Sequence, residues 1–214
     1  MRNRNIKTKG IILGSKTVKE TDKLLFIYTP SLGKIKAIAK GALKPSSKFT
    51  GTTETLNFCT FELYQHSSLP IITDIKLEKN YKLIRRNFKK ITSALLVTHL
   101  AHNLLFENSS LPQIFDLIDK TLKEIEKKDH SFLLVLAFTV KLLDILGLLP
   151  NFKDNRNLPI KLPTKYRKLL NFLKENPFSK IVKIAPTKEE TDRIKEILKG
   201  IIENETESKL NLPL

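Results

Sequence analysis

Apolar and polar positions alternate with period two over the first part of the chain, then change to helical spacing near residue 80. Strand-like runs fall at Thr8–Lys16, Lys23–Thr29, Lys34–Lys40, Thr55–Tyr64 and Ile71–Lys79, separated by Gly, Pro, Ser and Asp. In the third run Ile35, Ala37 and Ala39 share one face, while Lys34, Lys36 and Lys40 share the other with Ile38. That pattern suits a sheet that packs on a core on one side and meets a polyanion on the other. In the fourth run Cys59, Phe61 and Leu63 alternate with Phe58, Thr60, Glu62 and Tyr64. Pro30 and Gly33 bracket a tight connection, which predicts a hairpin of the second and third strands. Five short strands in about 75 residues are the size of a small closed barrel, with the five-stranded OB-fold the leading candidate.

Past Lys79 the apolar residues recur every three or four positions. Ile84, Phe88, Ile91, Leu95, His99 or Leu100, and Leu104 predict one helix over Tyr81–Phe106. Asn108–Pro112 stops it and starts a second, with Ser110 as N-cap and Pro112 in the first turn. Ser131 begins a third helix, Phe132–Leu146, whose apolar face is so wide that it should be central to a bundle, and Gly147 and Pro150 end it. Asn151–Pro163 reads as a loop, Thr164–Asn176 as a short helix and Pro177–Pro186 as irregular. Thr187, with Glu190 three residues on, caps a last helix, and the polar tail from Asn204 should be loosely held. The expected class is α+β, with a barrel domain over 1–79 and an α-helical domain over 80–214.

Charge changes the picture. The chain has 38 Lys+Arg against 22 Asp+Glu, a net +16. Residues 1–50 hold twelve basic residues, from Arg2 and Arg4 to Lys44 and Lys48, against Glu20 and Asp22 alone. A second acid-free segment between Glu78 and Glu107 carries Lys79, Lys82, Arg85, Arg86, Lys89 and Lys90, whereas residues 101–150 are slightly acidic. Composition that favours Lys, Ile and Asn can raise Lys throughout a chain, but it does not concentrate it at one end. A basic first third points to an anionic partner, nucleic acid or an anionic membrane surface.

Catalytic patterns do not surface. There is no Gly-rich phosphate loop, GxSxG or HExxH, and no Cys beside a His. His99 and His102 lie three apart on a helix, a metal-compatible spacing, but no carboxylate nearer than Glu107 completes a set, so packing roles are expected. Cys59 is the sole cysteine, which rules out an internal disulfide and a cysteine-based zinc site. The apolar run after the basic start, Ile11–Leu13, is too short for a signal peptide, and Phe132–Leu149 is interrupted by Lys141 and Asp144. A cytoplasmic protein with no catalytic site, no cofactor and no membrane contact is expected.

Lysines on a strand face and its flanking loops can meet successive phosphates while exposed rings stack on bases. Lys16, Lys23, Lys34, Lys36, Lys40, Lys44 and Lys48 are the candidate cations, extended by Arg85 and Arg86 on the first helix if these are not merely a solvated face. Phe49, in the loop SSKFTG, is the ring that strand alternation explains least. It either stacks on a base or plugs one end of the barrel. Phe26, Tyr28, Phe58 and Tyr64 are expected in the core or between barrel and helices.

The stretch GIILGSKTVKETDKLLFIYTPSLGKIKAIAKGALKPSSKFTG resembles the N-terminal region of the bacterial recombination-mediator family RecO. Gly10-Ile11-Ile12, Glu20-Thr21-Asp22-Lys23, Thr29-Pro30 with Leu32-Gly33-Lys34, Ala39-Lys40-Gly41-Ala42, and Ser47-Lys48-Phe49 with Gly51 carry the likeness. Phe61-Glu62-Leu63-Tyr64, Leu69-Pro70 and the apolar helix ending Leu143–Gly147–Pro150 also fit. The resemblance implies an OB-fold followed by a helical domain, and a non-enzymatic role in bacterial DNA repair and recombination, at the nucleoid. It implies binding of single- and double-stranded DNA, annealing of complementary strands, and action with RecR and single-stranded-DNA-binding protein (through its C-terminal peptide) in loading RecA. Many members insert a four-cysteine zinc module after the position of Pro150; Asn151–Pro163 has no cysteine, so that module is absent. From the residues alone two other readings stay open: an RNA- or ribosome-associated OB module, and an adaptor that uses its helical domain.

Overall fold

The period-two segment closes on itself. The computed structural model describes residues 5–65, 69–129, 131–152 and 162–206. Its strands are β1 (Asn5–Val18), β2 (Asp22–Thr29), β3 (Gly33–Ala39), β4 (Phe58–Tyr64) and β5 (Ile71–Lys79). They form a closed barrel in the order β1-β2-β3-β5-β4, the five-stranded Greek-key arrangement of an OB-fold. All pairings are antiparallel except β3 with β5, which meet only at Ile38 and Ile71. Ile12, Leu25, Ile27, Ile35, Ala37, Ala39, Phe61 and Leu63 fill the interior. Burial of each larger side chain stabilises the barrel by about 1.5–3 kcal/mol.

Two glycines of this region are required by close approach. A Cβ on Gly10 would lie 2.5 Å from the Ile27 side chain. Gly33 has φ +69°, and a Cβ there would run into the backbone of Ser109 and Ser110. The hairpin turn at Pro30–Gly33 is thus pressed against the segment following the first long helix. Ser110, expected as an N-cap, instead donates from its hydroxyl to the Pro30 carbonyl at 2.7 Å.

Helical spacing is realised as α1 (Lys82–Arg85), α2 (Phe88–Leu104), α3 (Pro112–Lys127), α4 (Ser131–Ile145), α5 (Thr164–Glu175), α6 (Phe178–Ile181) and α7 (Lys188–Thr206). The single helix expected over Tyr81–Phe106 is broken. Asn87 is extended (φ −127°, ψ 118°), and its side chain accepts from the Lys90 amide at 3.1 Å to start α2 afresh. The break takes Ile84 and Phe88 off a common helical stripe, so Ile84 is buried while Phe88 is 84% exposed. Leu95, also expected inward, is exposed; Leu100 and Leu104 face inward as expected, joined by Ser93, Leu96 and Val97. The fourth strand starts at Phe58 rather than Thr55, because Leu56 has φ +76° and Asn57 is turned into the preceding loop.

The described chain divides into two compact units, Met1–Asp119 and Lys120–Leu214, so the barrel shares its unit with α1, α2 and the start of α3. Within the second unit α4 packs against α5, α6 and α7, with Leu134 to Val140 buried. Lys141 donates to the Lys174 carbonyl at 2.7 Å, and Lys174 pairs with Asp144 at 2.7 Å. Thr187 and Glu190 form the reciprocal cap read from the sequence, at 3.2 and 2.9 Å. Pro177–Pro186, expected irregular, contains the turn α6. Most of the loop expected over Asn151–Pro163 lies outside the described residues.

Candidate nucleic-acid interface

Strand order places the charge. With β1, β3 and β5 running one way and β2 and β4 the other, the β1–β2 connection, the long β3–β4 loop and the exit of β5 into α1 all emerge at one end of the barrel. The same end is cross-linked by hydrogen bonds. Leu43 donates its amide to the Thr21 carbonyl, and Gly41 donates to the Asp22 carboxylate at 2.7 Å. Asn57 donates to the carbonyls of Gly51 and Thr52.

Arg85 is a tether rather than a free cation. Its guanidinium donates to the Asn80 and Thr55 carbonyls and to Asn57 Oδ1, at 2.8–2.9 Å. It therefore fixes α1 to the foot of the β3–β4 loop. Arg86, one residue on, is exposed and makes no ion pair or hydrogen bond through its side chain among the described residues.

The candidate lysines separate into two groups. Lys16, Lys40 and Lys44 are exposed at this end of the barrel, without side-chain partners among the described residues. Lys48 is exposed too, although its amine donates to the Thr73 carbonyl at 2.6 Å and lies 5.2 Å from the centre of the Phe49 ring. Lys23 is largely covered, its amine paired with Glu54 at 3.0 Å and within 3.5 Å of the Thr53 hydroxyl. It ties the loop to the barrel mouth.

Lys34 and Lys36 are on the outer face of β3, as alternation requires, but that part of the face is roofed over. Lys34 is only 9% exposed and donates to the His102 carbonyl at 2.7 Å, satisfying a carbonyl of the last turn of α2. Burial holds the Lys34 amine below its usual pKa, partly opposed by Glu107. Lys36 pairs with Glu107 at 2.5 Å, and its hydrogen bond holds that carboxylate below the ordinary range. Phe26 meets the His102 ring edge-on at 4.5 Å, and the Tyr28 hydroxyl donates to the Leu111 carbonyl at 3.1 Å. The reason is the single β3–β5 pairing: it leaves the first half of β3 with a free edge, and residues 107–108 pair there, Asn108 donating to the Lys34 carbonyl at 2.9 Å.

Phe49 is 4% exposed and belongs to the barrel core. It closes the barrel end and presents no ring for stacking. The exposed rings are others: Phe88, at the start of α2, and Phe106, 80% exposed beyond its end. Phe106 is at the opposite end, which also has a cavity of about 490 Å³ lined by Ile6, Leu32, Ile35, Leu63, Lys36 and Glu107, among others.

Sequence reasoning missed Phe88, and with it Lys82 and Lys89, which are exposed beside Arg86. The acid-free segment was visible as charge; the ring was hidden by assigning it to a buried stripe.

Other chemistry is sparse. Burial pushes the Cys59 thiol up to about 12, which keeps it protonated and inert. No group of three or more His, Cys, Asp or Glu side chains is placed to hold a metal among the described residues. No helix there is long and apolar enough to cross a membrane.

Two segments of the chain match family models of known proteins. A family model described as recombination protein O N terminal matches residues 1–81, and one described as recombination protein O C terminal matches residues 85–156. The DNA repair protein RecO of Alkaliphilus metalliredigens is 29% identical over 147 residues, covering 68% of this chain and 60% of that protein. That of Acetivibrio thermocellus is 27% identical over 146 residues, covering 68% and 58%. That of Dehalococcoides mccartyi strain BAV1 is 25% identical over 213 residues, covering 86% and 84%. The matched region spans about three-fifths of the first two relatives. With an OB-type barrel first, helices after it, and both family models matched in order, the chain belongs to the recombination protein O (RecO) family.

Proposed function

We propose that this chain is a DNA-binding recombination mediator. It binds single- and double-stranded DNA through the cationic end of its barrel and anneals complementary strands. It acts with RecR to load RecA on DNA coated by single-stranded-DNA-binding protein, and it takes part in recombinational repair at the bacterial nucleoid. The observation that carries the reading is the gathering of Lys16, Lys40, Lys44, Lys48 and Arg86, all exposed, where three connections leave the barrel. The relatives named DNA repair protein RecO direct it to DNA rather than RNA.

Residues 1–79, extended by Arg86 just past α1, would carry the nucleic-acid contacts, and the later helices of 80–214 would meet protein partners, including the C-terminal peptide of single-stranded-DNA-binding protein. Lys34 and Lys36, already engaged within the fold, are left out of the DNA track, and Lys23 and Arg85 shape it indirectly. Annealing of complementary strands coated with single-stranded-DNA-binding protein, with and without RecR, tests the reading. Annealing by the wild type that is lost in Lys40→Glu/Lys44→Glu supports it, and equal annealing by both proteins overturns it.

A further inference from the structure

Resting on that reading, we infer that the corner between α1 and α2 is a base-stacking station for single-stranded DNA, with Phe88 as the platform and Lys82, Arg86 and Lys89 as the phosphate contacts. Phe88 is the most exposed large apolar side chain among the described residues, at 84%. A phenyl ring held in water forgoes burial worth about 1.5–3 kcal/mol, and its setting indicates what covers it. Lys82, Arg86 and Lys89 are exposed around it, and none has a side-chain partner among the described residues. No acid lies between Glu78 and Glu107. A ring among unpaired cations fits a ligand that is both flat and polyanionic. That is single-stranded nucleic acid, whose bases are free to stack while its phosphates meet cations.

The station is held in place rather than hung on a loose loop. Asn87 caps α2 and so directs Phe88 into its first turn. Arg85 anchors α1 to the Thr55 carbonyl and Asn57, and Asn57 in turn bonds Gly51 and Thr52. The corner thus shares a barrel end with Lys40, Lys44 and Lys48, and one strand can follow the loop cations to the ring. Bases in a duplex are already stacked on each other, so the ring distinguishes single strands from duplex, whereas the lysines do not.

The test compares wild type, Phe88→Ala, Phe88→Trp and Lys40→Glu/Lys44→Glu, using a labelled single strand, its duplex, and a salt series. Because Phe88 is exposed, Phe88→Ala is expected to keep the wild-type thermal midpoint. It should lose about 5- to 150-fold in single-strand affinity, the range given by a lost base–aromatic stack, with duplex affinity and salt slope unchanged. The chain has no tryptophan, so Phe88→Trp is a single-site reporter that should retain affinity and lose fluorescence when the single strand binds. If Phe88→Ala binds the single strand as wild type does while Lys40→Glu/Lys44→Glu fails, the stacking station is wrong and the barrel-end reading stands. The ring would then belong to a protein partner. If Phe88→Ala loses single strand and duplex alike, or Phe88→Trp fluorescence ignores DNA, stacking is also refuted. Wild-type binding by every variant would overturn both the station and the reading beneath it.

Discussion

Replacing Phe49 by alanine separates the two roles open to that ring. At 4% exposure, packed in the cluster that includes Leu25, Ala39 and Cys59, the ring stabilises the barrel mainly by its burial. Removing it forfeits about 1.5–3 kcal/mol of transfer free energy. The void, roughly 80 Å³ if the loop does not collapse, adds about 2 kcal/mol at about 24 cal/mol per Å³. The expected loss is therefore about 3–5 kcal/mol, in line with buried Phe→Ala substitutions generally. In urea, with a slope of about 2 kcal/mol per M, the midpoint should fall by about 1.5–2.5 M. Phe49→Leu, which keeps most of the volume, should cost no more than about 1.5 kcal/mol and leave DNA affinity intact. An unchanged urea midpoint for Phe49→Ala, combined with a loss of single-strand affinity, would refute the plug and restore the ring to the interface.

Lys34→Ala should destabilise the protein by about 1–3 kcal/mol, because the half-buried His102 carbonyl loses its donor. It should change DNA affinity little, and Lys40→Ala should do the opposite, as paired urea unfolding and DNA titration would reveal. The His102 imidazole is held below its usual pKa of 6.5, chiefly by burial and also by Lys34, His99 and Lys36, with Glu107 opposing. The unfolded chain therefore binds the proton more readily, so stability is complete above about pH 6.5 and declines as pH falls through the lower folded value. Thermal midpoints between pH 8 and pH 5 should fall less in His102→Gln than in wild type over that window, and equal slopes would count against the assignment.

The barrel was legible because its strands are half-buried: alternation in β3 identified Ile35, Ala37 and Ala39 as core and Lys34 and Lys36 as outward, and these five side chains are so placed, while Lys40 lies just past the strand end. What alternation does not carry is whether the outer face stays open. Lys34 and Lys36 are covered by residues 102–108, far away in sequence, because β3 has an edge that β5 does not complete. A strand pattern has no access to that pairing. The same limit applies to Phe49, since a loop ring has no periodicity to reveal its burial.

At α1–α2 the failure was one of phase. A single residue, Asn87, prefers capping to helix interior, and resetting the helix there turned Phe88 from an expected core position into an exposed one. The capping box at Thr187, a purely local device, was legible in full.

The salt dependence of single-strand binding tests most directly whether the loop end of the barrel is the DNA surface. On single strands the logarithm of affinity should fall with the logarithm of salt concentration by about 0.7 per phosphate neutralised. The variant Lys40→Glu/Lys44→Glu/Lys48→Glu should lose at least about 2 from the wild-type slope, together with most of its affinity at moderate salt. A variant with the wild-type slope and affinity would contradict the assignment of DNA binding to this end of the barrel.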